Sequence, residues 1–208
     1  ISCSLVGSEM CIRDSYYPME EAYTLNHPHT KFPSHTDRKL TPGVDLTTGS
    51  LGQGASTAAG AALGNKIDGR TNHVFCVIGD GEADEGQVWE AAMFTAAKKI
   101  TNLIWLVDDN KKQLDGYTQD VLPIFDLEAK FAAFGFDARR VDGNDIAQVY
   151  DALTAPIGDK PRAIILDTVK GKGIREVEET MGNHSMTVAA DVCDKWLAGL
   201  RGELAGLE

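Results

Sequence analysis

The chain has 208 residues, 43% of them hydrophobic and 25% charged, with a formal net charge of -11. That length and apolar share suffice for one large domain with a full core. The acidic balance, with no basic cluster interleaved with aromatics, excludes a phosphate-backbone footprint, so no nucleic acid partner is expected, and no apolar run approaches the roughly 20 residues of a membrane-spanning helix, so no membrane is expected either.

In chain order, residues 1–15 (ISCSLVGSEMCIRDS) have neither helical nor strand periodicity, nor the apolar core of a signal peptide. Ser4 to Ser15 resemble translated sequencing-adapter read-through, so a non-native or disordered segment is expected there. Tyr16 to Asp45 is loop-rich, with Pro18, Pro28, Pro33 and Pro42, and carries a short helix around Met19 to Leu25. An Ala/Gly helix follows over Gly54 to Lys66, whose alanines suit close packing against a sheet or a neighbouring subunit. His73 to Ile78 and Asn102 to Val107 are short, nearly all-apolar runs, the pattern of parallel strands covered by helices on both faces. Between them, Val88, Trp89, Ala92, Met93 and Ala96 recur at helical spacing within Glu85 to Lys99. Further on, helices are predicted over Leu127 to Phe134 and Ile146 to Thr154, and strands over Asp137 to Val141 and Arg162 to Thr168. Thr187 reads as the N-cap of a last amphipathic helix reaching about Leu204. The fold class is therefore α/β, a doubly wound, mostly parallel sheet with helices on both faces. Cys3, Cys11, Cys76 and Cys193 lack metal-ligand spacing, which predicts free thiols in a reducing, cytoplasmic compartment.

The chemistry is carried by two turns. Each of the central strands stops at a polar turn, GDGEADEG from Gly79 and DDNKKQLDG from Asp108. Right-handed crossover sets both strand ends on one edge of the sheet, so Asp80 and Asn110 emerge together where open α/β folds bind ligands. A carboxylate, an amide oxygen and a nearby carbonyl are hard donors suited to magnesium, which also takes phosphate oxygens and water. Gly79 and Gly81 let backbone approach an anion closely. Either turn alone could be a plain Asp-Gly or Asn turn; the matched strands make them one metal-diphosphate site.

GDG followed about thirty positions later by Asn110 is similar to the thiamine diphosphate motif. EGQVWEA and DDNKKQLDG narrow the resemblance to transketolase, especially the amino-terminal half of split bacterial transketolases. SHTD at Ser34 to Asp37, TPGVDLTTGSLGQG from Thr41, VDGND at Val141 to Asp145 and TVKGKG at Thr168 to Gly173 extend it over nearly everything from about Pro33 onward. The family's Lys-Gly-His or Ser-Gly-His element has no counterpart, and His27 and His29 lie too close to SHTD to replace it. The resemblance thus implies that residues 16–208 form a single thiamine diphosphate-binding domain, of the type that binds the diphosphate, truncated at its amino terminus.

By that resemblance Asp80 and Asn110 are magnesium ligands through their side chains and Lys112 through its carbonyl. Gly81 and Asn110 lie at the diphosphate, and Gly49, Ser50 and Leu51 run along the thiamine rings. Glu85 joins a carboxylate network between the two cofactors of a dimer, although Glu85 and Glu90 would equally suit the positive end of a helix. His35 faces the donor sugar, with Ser34 and Thr36 departing from the family's Gly and Pro. His184 in GNHSM falls near the diphosphate and substrate. Alone, each histidine would read as a solvated loop residue. Lys170 and Lys172 lack the Ser or Thr that a nucleotide P-loop places after Gly-Lys.

The implied activity is a thiamine diphosphate- and magnesium-dependent transferase of the pentose phosphate pathway. It moves a two-carbon ketol unit from a ketose phosphate to an aldose phosphate. The glutamate that drives the aminopyrimidine's proton chemistry belongs to a second, pyrimidine-binding domain, so a carboxyl-terminal subunit or missing carboxyl-terminal domains, and a homo-oligomeric assembly, are the expected partners. The chain alone is expected to be inactive. The alternatives are another thiamine diphosphate enzyme component, pyruvate dehydrogenase-type or deoxyxylulose phosphate synthase-like, or a non-catalytic Rossmann-like nucleotide-binding module. Gly79-x-Gly81 without a third glycine disfavours the last.

Overall fold

The computed structural model describes residues 16–206; the segment 1–15 singled out in the sequence lies outside the described residues. The elements are α1 (Met19–Ala22), α2 (Gln53–Ile67), β1 (Val74–Gly79), α3 (Gly86–Ala97), β2 (Leu103–Asp109), β3 (Lys112–Gln113), β4 (Gly116–Tyr117), α4 (Thr118–Val121), α5 (Leu127–Ala133), β5 (Asp137–Asp142), α6 (Ile146–Thr154), β6 (Arg162–Asp167), α7 (Arg175–Glu178) and α8 (Ala190–Ala205). A 3-10 turn, Gly81–Asp84, separates β1 from α3.

Four strands form one parallel sheet in the order β1-β2-β6-β5, with Ile78 opposite Val107 and Gly79 opposite Asp108. Alternation within each strand sorts side chains to the two faces. On one, Cys76, Ile78, Leu103, Trp105, Val107, Ala163 and Ile165 pack against α2, α3 and α5. There, Trp105, Phe131 and Phe136 meet Trp89 in a chain of tilted and edge-on ring pairs with centroids 5.2 to 5.9 Å apart. On the other, Ile104 and Ile164 pack with Ala152 of α6. Helices therefore lie on both faces, as the strand composition predicts. Small residues do bring α2 close: Ala55, Ala59 and Ala62 are its buried positions.

Two local expectations differ. The first helix is a single turn ending at Ala22, because the chain bends at Asn26 and His29, both with positive φ. The last helix starts at Ala190 with Ala189 as N-cap and no side-chain cap, so Thr187 is not its cap. The two-residue strands β3 and β4, which pair antiparallel just after Asn110, carry too few residues for a periodic signal.

Arg162, fully buried at the start of β6, anchors the α6 side of the sheet. Its guanidinium donates to the carbonyls of Ala152, Ala155 and Pro156 at 3.1, 2.6 and 2.6 Å, closing the carboxyl end of α6, and to Asp137 Oδ2 at 3.3 Å. Orphan helix carbonyls are thereby satisfied inside the core.

Candidate functional site

β1 and β2 are adjacent and in register, so the turns that follow them meet at the carboxyl edge of the sheet. Asp80 is 1% exposed there. Its carboxylate accepts from Gly81 N at 2.7 Å and from Lys111 N at 2.6 Å, which ties the first turn to the second. Asn110 folds onto the same turn: its Oδ1 accepts from Lys112 N at 3.0 Å and its Nδ2 donates to Asp108 Oδ2 at 2.9 Å. Lys111 sits at φ 65, the left-handed bend that lets the turn close.

This edge carries excess negative charge. Burial, opposed by the two N–H donors and reinforced by the charges of Asp109 and Asp108, pushes the Asp80 carboxyl up to about 6. Asp109 is itself buried, held by Arg140 Nη1 at 2.6 Å and by Lys111 Nζ. Asp108 Oδ1 accepts from the Thr168 hydroxyl at the end of β6. Asp84 Oδ1 is buried with no hydrogen-bond partner among the described residues. Nor, among them, do three His, Cys, Asp or Glu side chains converge as a metal cluster. The donors are instead one carboxylate, one amide oxygen and one carbonyl, a set that fits a hard divalent cation completed by phosphate and water.

The anion side fits as well. A Cβ on Gly81 would lie 2.8 Å from Gln113 Cβ, so the backbone approaches the turn in the space that a side chain would fill. Next to it the Thr48–Leu51 turn and Gly54 line a cavity of about 50 Å³ with Val77 and Glu82. Within the chain Glu82 is buried as well as Asp80, whereas Glu85 is exposed. Glu82 accepts from Gly52 N at 2.8 Å and Gly79 N at 3.3 Å, locking the start of α2 to the end of β1. Sequence reasoning missed Glu82. The available signal was its place in an acidic turn directly after GDG, beside two glycine-rich backbone segments with N–H groups to satisfy.

Glu85 is exposed at the N-cap of α3, its side chain packed by the Gly52 turn, and Glu90 is exposed on the helix. Ser50 and Leu51 are exposed at the cavity rim, and Gly49 has φ 135. His35 lies against Gly49, where an added Cβ would come within 2.5 Å of its ring. Thr36 and Thr48 hydroxyls meet at 2.9 Å. SHTD and TTGS thus form one contiguous patch. His184 is held separately, on the 170–186 segment, by Lys170 Nζ at 3.0 Å from its Nδ1. Burial on one side and that ammonium keep its imidazole below the ordinary histidine value. A wider cleft of about 550 Å³, lined by Arg140, Asp142, Asn144, Thr168 and Lys172 among others, opens at the ends of β5 and β6.

The thiamine diphosphate binding domain of transketolase matches residues 3–198. A 6-deoxy-6-sulfo-D-fructose transketolase subunit from Clostridium sp. is 43% identical over 190 residues, covering 90% of this chain and 69% of its own. An apulose-4-phosphate transketolase subunit from Actinobacillus succinogenes is 38% identical over 95% of this chain and 72% of its own. Among solved structures, a transketolase from Pichia stipitis in complex with sedoheptulose-7-phosphate superposes with a TM-score of 0.75 at 27% identity, over 85% of this chain and 29% of that one. The Campylobacter jejuni transketolase gives 0.66 at 28% identity, over 72% and 24%. The chain thus spans less than a third of these two solved structures. These matches favour transketolase over the pyruvate dehydrogenase-type, deoxyxylulose phosphate synthase-like and nucleotide-module readings. With its sheet, its paired turns and its sequence all in agreement, this chain belongs to the transketolase family, as its amino-terminal, thiamine diphosphate-binding part.

Proposed function

We propose that the chain is the cofactor-anchoring half of a ketol transferase. It holds thiamine diphosphate and magnesium and acts with a pyrimidine-binding half, either a separate carboxyl-terminal subunit or further domains of its own protein. The observation that carries this reading is the buried Asp80 carboxylate, set by two backbone N–H groups beside Asn110 and surrounded by further acids. Asp80, Asn110 and the Lys112 carbonyl hold the metal. The backbone at Gly81 lies against the diphosphate. Gly49, Ser50 and Leu51 line the thiamine rings, and the rigid contact of Gly49 with His35 sets the histidine at the donor's end of the cavity. His184 faces the same substrate from the opposite loop. Glu85, exposed in the isolated chain, becomes buried in a carboxylate network when the halves and their copies assemble.

When bound, thiamine diphosphate would supply the nucleophilic carbon and electron sink for breaking the bond between carbons 2 and 3 of a ketose. This chain's residues bind and orient: the acids fix the metal, and His35 and His184 donate to or accept from donor-sugar hydroxyls. The donor is a ketose phosphate and the acceptor an aldose phosphate, as in the pentose phosphate pathway. The 43%-identical relative, named for a sulfo-sugar, makes a ketose with a terminal sulfonate the second donor to test. Residues 16–208 are one domain of a homo-oligomeric, cytoplasmic assembly. Among the described residues no helix is long and apolar enough to cross a membrane, and Cys76 and Cys193 are free thiols.

Calorimetric titration with thiamine diphosphate, with and without magnesium, tests the anchoring role; metal-dependent binding is expected, and binding of NAD instead would overturn it. Co-expression with a matching second half followed by a ketol-transfer assay tests the division of labour. Robust turnover by the chain alone would sink that part.

A further inference from the structure

Lys112 reaches in two directions. Its backbone belongs to the Asn110 turn, with its N–H donated to Asn110 Oδ1 and its residue paired with Tyr117 in the small hairpin. Its ammonium crosses to the segment between β6 and α8, donating to the carbonyls of Glu178 at 2.7 Å and Thr180 at 3.1 Å. Those two carbonyls lie at and just beyond the carboxyl end of the single-turn helix α7, where a cation is favoured; the Arg175, Glu176 and Val177 carbonyls are already taken by N–H and hydroxyl donors of the same segment. The side chain is partly buried, so these are sheltered, charge-assisted contacts rather than exposed surface pairings.

The segment so held is largely cross-linked within itself, with further ties outward that include Lys195 Nζ to Glu176 Oε1 at 3.5 Å and Val169 N to Asn144 Oδ1 at 3.0 Å. Asn183 Nδ2 donates to the carbonyls of Lys170 and Val177 at 3.3 and 2.8 Å, and Gly173 N to Glu178 Oε1 at 2.9 Å. Gly171, at φ 83, packs where an added Cβ would lie 2.5 Å from Val177. Lys170 sets His184 at the segment's far end. The segment is therefore internally cross-linked, and Lys112 bridges it to the turn at the carboxyl edge, 66 and 68 residues away in sequence.

We infer that Lys112 is a positioning residue that couples the Asn110 turn to the segment carrying His184, so that filling the turn orders that segment. The coupling rests on the reading of Asn110 and Lys112 as metal ligands; the tether itself does not. Neither was visible in the sequence, where Lys112 enters only through its carbonyl and any residue type would serve.

Amide hydrogen exchange on the full chain tests both parts. Lys112→Met keeps the carbonyl and the aliphatic stem but removes the donors. Exchange across residues 174–183 is expected to accelerate by about tenfold, while β2 and β6 keep their protection. Lys112→Arg, whose guanidinium also reaches two carbonyls, is expected to restore wild-type exchange. Should Lys112→Met fail to fold, Lys112→Gln, shorter and uncharged, takes its place with the same expectation. Exchange at 174–183 equal to wild type in a folded Met or Gln variant would overturn the tether. Thiamine diphosphate with magnesium is expected to slow exchange of this segment in the wild type and in Lys112→Arg, and not in Lys112→Met. Equal slowing in Lys112→Met would overturn the coupling. Calorimetry on the wild type keeps the two failures apart: a wild type that binds no cofactor rejects the site reading and the coupling with it, and the ligand-free comparison still decides the tether.

Discussion

Asp80 is the residue whose protonation decides most. Its folded-state value, about 6, lies above the 3.8 of an unperturbed carboxyl. Between those values the folded chain holds a proton that the unfolded chain has released, so this group withdraws stability as pH rises from about 4 to 6. The loss is complete above about 6 and is on the order of 3 kcal/mol. Asp80→Asn is therefore expected to leave the ligand-free chain at pH 8 as stable as the wild type or more so, measured by urea denaturation. The same change is expected to weaken magnesium-dependent binding of thiamine diphosphate by about 100-fold or more, since losing even an outer partner of a metal ligand costs about 10–100-fold. In the wild type that binding should fall by about tenfold per pH unit below about 6, because metal and proton compete for one carboxylate. A flat calorimetric profile from pH 5 to 8 would contradict this. Gly49 is constrained twice, by φ 135 and by His35 at its back. Gly49→Ala is expected to cost about 1–3 kcal/mol and to shift the His35 imidazole resonances. The Asp80–Asn110 pairing was legible because strand ends and turn residues repeat a spacing that topology converts into proximity. The Lys112 ammonium was not, because it acts on carbonyls 66 and 68 residues away that no side-chain pattern marks, and Glu82 was only hinted at by its acidic turn, since the Gly52 N–H that it accepts from lies 30 residues back.

At the level of elements, the long, strongly patterned segments were readable nearly to the residue. Ile146 to Thr154 is helical over the predicted span, and β1, β2, β5 and β6 fall within a residue or two of the apolar runs. The failures are short or weakly capped. The β3–β4 hairpin has two residues a side, and α8 begins at Ala190 without a side-chain cap, so the Thr187 signal had no structural partner. Arg162 illustrates a different limit. The sequence marks it only as the first residue of the strand Arg162 to Thr168, whereas burial among the last carbonyls of α6 makes it the cap of another element. Arg162→Met is expected to destabilise the fold by about 3–5 kcal/mol, as removal of one member of a buried polar set does. A shift in denaturation midpoint worth less than about 1 kcal/mol would show that water replaces the guanidinium at no great cost.

Across the whole molecule, the site strand β1 is an outer strand of its sheet, and on the α6 face Phe75 is 55% exposed. Beyond the site, Leu114, Tyr117, Val121, Leu122 and Phe125 are all exposed on the stretch after Asn110, Phe125 being 83% exposed. Five exposed large apolar residues within twelve positions of sequence mark a contact surface. The isolated chain is therefore expected to self-associate at micromolar concentration in sedimentation velocity. Phe125→Asp is expected to shift the population towards monomer without changing the melting midpoint, and an unchanged distribution would show that this flank takes no part. The chain has three tryptophans. Trp105 is sealed in the core, and Trp196 lies on α8. Trp89 stacks on Phe134 and donates to the Ala83 carbonyl at 2.8 Å, within the turn that opens at Gly81. A ligand that settles on that turn is therefore expected to perturb the Trp89 indole. The chain carries its own fluorescent gauge of occupancy, readable without label, partner or turnover.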